Sequence, residues 1–323
     1  MRRLLFNWCL LLLPITAFLV WFEVARGARE SNLFQVKRNL LQASADHVEV
    51  LILGSSHEHE GVLPGLIQSN AFNLSAVSQS LYYDCALVRK YAPSLPRLRL
   101  VVIPISYFSL EMELAGSTEE WRSYYYRHVH GIPHSDFRAE TRLRNWSAWF
   151  LFGRDIGWPA VRGSAPPLIR SNYDESGGLV DTRPPGLRTL HPKPDYVQTS
   201  TPVAFARHSA SMHRENVAPH LNALRQLVVA LQERGVRVVF LTLPVSAEYR
   251  GRMLPEVRAR NAETVQGLCR EFGSEWKDYT GDPRFTNDDF WDADHLNFPG
   301  AARFSRILGE EFVGPQLELA RLQ

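Results

Sequence analysis

Four short apolar runs govern what this chain can fold into. Val48-Glu49-Val50-Leu51-Ile52-Leu53 leads into Gly54, and Ala71-Phe72-Asn73-Leu74 is a shorter copy of the pattern. Leu98 to Ile105 carries Val101, Val102 and Ile103 at its centre, and Val236 to Leu243 reads VRVVFLTL. Runs of this length, rich in β-branched residues and apolar on both faces, suit strands buried inside a parallel sheet. Elsewhere the period changes. Val217, Leu221, Leu224, Val228 and Leu231 form one stripe of a 3.6-residue helix, which ends at Gly235 and feeds the fourth run. The pattern predicts two further helices, Pro255 to Phe272 and Pro299 to Phe312. Alternating strands and helices imply an α/β fold: a mostly parallel sheet covered on both faces, in three α/β/α layers.

The chain divides into four segments. Residues 28–112 and 211–323 carry the α/β rhythm, and 113–210 interrupt it as an aromatic- and proline-rich insertion or cap. Trp121, Tyr124, Tyr125, Tyr126, Trp146, Trp149 and Trp158 fall there; they serve either as a subdomain core or as flat faces for sugar rings. Residues 1–27 differ again. Arg2 and Arg3 precede an apolar stretch from Leu4 to Phe22, broken only by Asn7 and Pro14, and about 19 residues nearly span a bilayer. Glu23 to Ala28 makes a poor cleavage site. The expectation is an uncleaved, single-pass anchor over residues 4–22, with the rest outside the cytoplasm (the periplasm in a Gram-negative source). A cleaved signal peptide and a buried terminal helix are the alternatives.

Charge narrows the partners. Lys and Arg number 36 and Asp and Glu 34, a net +2 over 323 residues, which leaves no basic face for nucleic acid. Cys9, Cys85 and Cys269 form no C-x-x-C pair, and buried free thiols are the commoner use of so few.

Chemistry concentrates at two places. The first run ends in Gly54-Ser55-Ser56-His57, and in an open α/β sheet ligands bind beyond the carboxyl ends of the strands. A serine there is either a helix N-cap or a nucleophile backed by turn N–H groups. Near the C-terminus stands Asp292-Ala293-Asp294-His295-Leu296-Asn297-Phe298-Pro299-Gly300. A serine hydroxyl needs a base such as His295, and His295 needs a carboxylate to hold its tautomer. Asp292 stands three residues before it, and Asp294 is the alternative acid; either Asp could instead cap the helix that follows. His57 and His59 alternate, so on a helix they share no face for a metal. His128, His130 and His134 lie among tyrosines and read as a loop. No metal and no cofactor is expected.

Taken together these blocks resemble the SGNH (GDSL-like) hydrolase superfamily. Gly54-Ser55-Ser56 matches its first block, with Ser56 as nucleophile. Asp292, His295 and Gly300 match the D-x-x-H-x-x-x-x-G block at every spaced position. With the anchor, the likeness narrows to envelope members of the DltD and alginate O-acetylation type. It covers about 48–112 and 215–315. It implies a Ser56–His295–Asp292 mechanism for hydrolysis or transfer of acyl esters on an exported or cell-envelope polysaccharide. The second block's oxyanion glycine is replaced by Ser78, and the third block's asparagine is missing, which leaves Ser106 or Tyr107 as stand-ins. Two non-enzymatic readings stay open: a polysaccharide-binding protein, or a partner subunit of a membrane acyltransferase.

Overall fold

A computed structural model describes residues 8, 10, 12–21, 32–67, 70–133, 172–180 and 195–322. Five strands form one sheet: β1 (Val50–Ile52), β2 (Ala71–Asn73), β3 (Leu100–Pro104), β4 (Arg237–Thr242) and β5 (Glu275–Asp278). Every pairing is parallel, and the order is β2-β1-β3-β4-β5. That order reverses direction at β1 and β3, so their carboxyl ends open the crevice where doubly wound sheets bind ligands.

Strand alternation splits the core in two. Leu51, Phe72, Val101, Ile103, Val238 and Phe240 face one side. Val50, Ile52, Leu100, Val102, Val239 and Leu241 face the other. The first side is covered by α1 (Leu33–Ala43), with α3 (Leu81–Tyr91), α4 (Ser123–His130), α6 (Val217–Gln232) and α7 (Pro255–Phe272) beside it. The second is covered by α8 (Phe298–Leu308), through Ala301, Phe304 and Leu308, and by Leu317 of α9 (Gly314–Arg321). Two further helices, α2 (Ser56–Gly61) and α5 (Tyr196–Ser211), build the site. Helices on both faces of a parallel sheet are the three layers that the apolar runs predict.

Several expectations shift in detail. The predicted strands are trimmed at their ends, and the helix expected through Phe312 runs further than that, passing through a π-helical turn at Gly309–Val313 into Gly314–Arg321. β5 is an element the patterning misses, because Glu275, Lys277 and Asp278 leave it no apolar run; it is an edge strand, where charge guards against further pairing. Part of the expected insertion belongs to the core: Tyr124, Tyr125 and Tyr126 of α4 pack with Phe34 of α1. Trp146, Trp149, Trp158 and His134 lie outside the described residues. Cys85 and Cys269 are free thiols.

Residues 12–21 are helical, with Leu13, Val20 and Trp21 exposed. Among the described residues no helix is long and apolar enough to cross a membrane, and residues 4–7, 9, 11 and 22 of the 4–22 stretch lie outside them.

Candidate active site

The turn after β1 sets the serine. Gly54 takes a φ of +120°, and a Cβ there would lie 2.3 Å from Glu58 Oε2, so only glycine fits. Ser55 is the N-cap of α2; its own N–H donates to Glu58 Oε2 at 2.8 Å, which closes a capping box. The capping role thus falls to Ser55, and Ser56, the first helical residue, is left with its hydroxyl facing the crevice. Burial raises the Glu58 carboxyl to about 8. Beneath the turn Asp84 of α3 accepts from Gly54 N at 3.0 Å and from Gln79 Nε2 at 2.6 Å. Burial lifts Asp84 to about 7.

The second half is a tight loop before α8. Trp291 N–H donates to His295 O at 2.8 Å, and Phe290 bridges Leu296 in antiparallel fashion. Asp292 Oδ1 accepts the backbone N–H groups of Asp294 at 3.1 Å and His295 at 2.9 Å, so the carboxylate is oriented before it meets the ring. Asn297 caps α8 by accepting from Gly300 N at 2.9 Å. The motif glycine has a steric reason: a Cβ on Gly300 would lie 2.2 Å from the Asp289 carbonyl oxygen. Ser246, in the turn after β4, donates to Ala293 O at 2.6 Å and ties this loop to the sheet.

The two halves meet. His295 Nε2 lies 2.8 Å from Ser56 Oγ, and His295 Nδ1 lies 2.9 and 3.0 Å from the two oxygens of Asp292. Asp294 stands behind, with Oδ1 3.7 Å from the same Nδ1. Its other oxygen lies 3.0 Å from His57 Nε2. Burial opposes charge on His295, but Asp294, the hydrogen bond to Asp292 and Glu60 outweigh it and push the imidazole up to about 10. For Asp294 too, burial opposes charge, yet His295 and His57 hold it well below the usual carboxylate range. Asp292 and Asp294 thus stabilise the imidazolium that proton transfer from Ser56 would create, while acceptance of that proton requires the neutral ring, whose share grows as pH rises toward about 10.

Ser56 and His295 open onto a cavity of about 490 Å³. Ser78 lines it in a left-handed conformation, φ +59°, unusual for a residue with a side chain. Phe108 and Met112 supply apolar wall, and Arg122 and Arg207 stand among its polar residues. Of the expected residues, Ser56, His295 and Asp292 form one hydrogen-bonded chain, and Ser78 shares the Ser56 cavity. Ser106 and Tyr107 are placed elsewhere: both line a separate cavity at the carboxyl ends of β3 and β4, beside α7. Ser106 Oγ sits 3.5 Å from His57 Nδ1, and the Tyr107 hydroxyl accepts from Leu254 N. His57 and His59 point apart, the one to Asp294 and the other to the Tyr173 hydroxyl at 3.3 Å. Asn73, half of a glycosylation sequon, is fully buried and donates to Glu58 O and Val62 O. His208 of α5 and Tyr249 also converge here; no local motif marks either, because α5 brings His208 in from the region expected as insertion.

No protein-family model matches the sequence, and no curated protein does. Among solved structures, a candidate acylhydrolase from Bacteroides fragilis is 12% identical with a TM-score of 0.40, covering 88% of this chain and 98% of its own. A candidate platelet activating factor from Streptococcus pneumoniae is 10% identical with a TM-score of 0.39, covering 93% and 96%. Likenesses this distant carry no argument about function.

Proposed function

We propose that this chain is a serine-dependent acyl-ester hydrolase or acyltransferase. The observation that carries the reading is the unbroken chain from Ser56 Oγ through His295 to Asp292, opening onto a cavity beyond β1. Ser56 Oγ attacks the ester carbonyl carbon while its proton passes to His295 Nε2. Asp292 holds the Nδ1 proton and stabilises the imidazolium. The backbone N–H groups of Ser56 and Ser78 supply the oxyanion donors. The C–O bond then breaks, and the leaving alcohol takes the proton from Nε2. Water, or the hydroxyl of an acceptor, next attacks the acyl-Ser56 ester and frees the serine by the reverse proton path.

The finer reading places this chemistry outside the cytoplasm, held to a membrane by residues 4–22 and acting on an acylated polysaccharide. It rests on the apolar N-terminal stretch and on the motif resemblance. The test is turnover of a small acetyl ester by the full chain and by Ser56→Ala. Loss of a triad member costs on the order of 10⁴–10⁶ in kcat where the triad works as a unit. Loss of at least about 10⁴ in the variant is the expected result. Equal turnover by both proteins refutes the assignment.

A further inference from the structure

Behind the Ser56–His295 pair, His57 and His208, which take no part in the proton path, converge on the buried carboxylate of Asp294. His57 Nε2 lies 3.0 Å from Asp294 Oδ2, and His208 Nε2 lies 3.6 Å from the same oxygen. The donor atoms of all three lie within 4.8 Å of one another. The side chains are 3%, 8% and 0% exposed for His57, His208 and Asp294. Asp294 Oδ1, although buried, accepts no hydrogen bond.

We propose that His57, His208 and Asp294 form a binding site for a divalent transition-metal ion of the zinc class. Ligands held about 2.0–2.1 Å from a tetrahedral ion stand about 3.3 Å apart, and the two observed N···O separations bracket that value. Two imidazoles and one carboxylate suit zinc and its neighbours better than calcium or magnesium, which prefer all-oxygen shells. The outer contacts fit as well. Each histidine offers Nε2 to the site and turns Nδ1 to a hydroxyl: Ser106 Oγ for His57, and the Tyr249 hydroxyl for His208. Ring nitrogens anchored in this way fix the tautomer of a metal ligand. Phe108 lies against both rings, with centroids 5.3 Å from His57 and 4.2 Å from His208. Three protein ligands leave a fourth position, and His208 lines the cavity that Ser56 opens onto. An ion here would offset the Asp294 charge that faces His295.

The inference is independent of the serine chemistry, and its test needs no turnover. The full chain, free of any polyhistidine tag, is stripped with a chelator and titrated calorimetrically with Zn²⁺ alone. A parallel titration uses Co²⁺, whose visible absorption reports a low-coordinate nitrogen and oxygen site. One saturable equivalent is expected. His57→Gln and His208→Gln should each weaken it at least about 10-fold, and Tyr249→Phe by about 10-fold, the scale of outer-contact losses. The exposed His47→Gln serves as the control and should bind as wild type. Circular dichroism establishes that each variant folds, and the wild-type Co²⁺ spectrum decides the matter if a variant does not. Absence of saturable binding overturns the proposal. So does binding that survives His208→Gln, or that is lost in Asp292→Asn while His208→Gln retains it, since the ion would then sit on Asp292, Asp294 and His295.

Discussion

At the scale of single residues, the site depends on positions that tolerate little. Gly54 combines a φ of +120° with no room for a Cβ beside Glu58. Gly54→Ala should break the Glu58 hydrogen bond to Ser55 N and displace Ser56. A cost of about 1–3 kcal/mol in stability is expected, with ester turnover falling further than the melting temperature alone explains. Asp292 and Asp294 are separable by chemistry. Only Asp292 hydrogen-bonds His295 Nδ1, so Asp292→Asn should lower kcat by about 10⁴ while leaving the fold intact, as read by steady-state kinetics and circular dichroism. Ser56, Asp292 and His295 were legible in the sequence because each sits in a short block whose spacing encodes its local geometry. His208, Tyr249 and Asp84 were not, because they reach the site only through packing of α5, of the short helix Ala247–Arg250 and of α3. Ser106 and Tyr107 follow β3 as expected, but they line a second cavity beside α7 and not the one that Ser56 opens onto.

At the scale of elements, α3 and α8 hold the two halves of the site in place. Asp84 of α3 accepts a hydrogen bond from Gly54 N under the Ser56 turn. The folded protein keeps its proton to about pH 7, whereas the unfolded chain releases it near pH 4. Between those values the unfolded state binds fewer protons, so this group makes stability fall as pH rises from about 4 to about 7. Asp84→Asn still accepts from Gly54 N, and denaturant unfolding across that range should show a flatter decline than wild type. For α8 the close approach is Gly300 to the Asp289 carbonyl. Gly300→Ala should push the helix from the loop that carries His295, lowering the melting temperature and turnover together. The patterning found β1 to β4 because a central parallel strand must be apolar on both faces. It missed β5, whose place in the sheet comes from backbone pairing with β4 and not from its side chains.

At the scale of the whole molecule, the sheet order puts the carboxyl ends of β1 and β3 at the reversal point, and the Ser56 turn follows β1 there. The near-neutral charge, averaged over the chain, concealed the apolar stretch at residues 4–22. If that stretch anchors the protein, the full chain should stay with membranes through an alkaline carbonate wash, and deletion of residues 1–27 should release it. Release of the full chain by that wash would count against an anchor. Ser56 is the nucleophile of the proposed reaction, and a covalent adduct on its hydroxyl tests that assignment. The full chain is treated with a fluorophosphonate, digested, and mapped by mass spectrometry. One modified peptide is expected, carrying the adduct on Ser56, with modification lost when His295 is replaced by alanine. An adduct on another residue, or modification of Ser56 that proceeds equally without His295, would contradict the assignment.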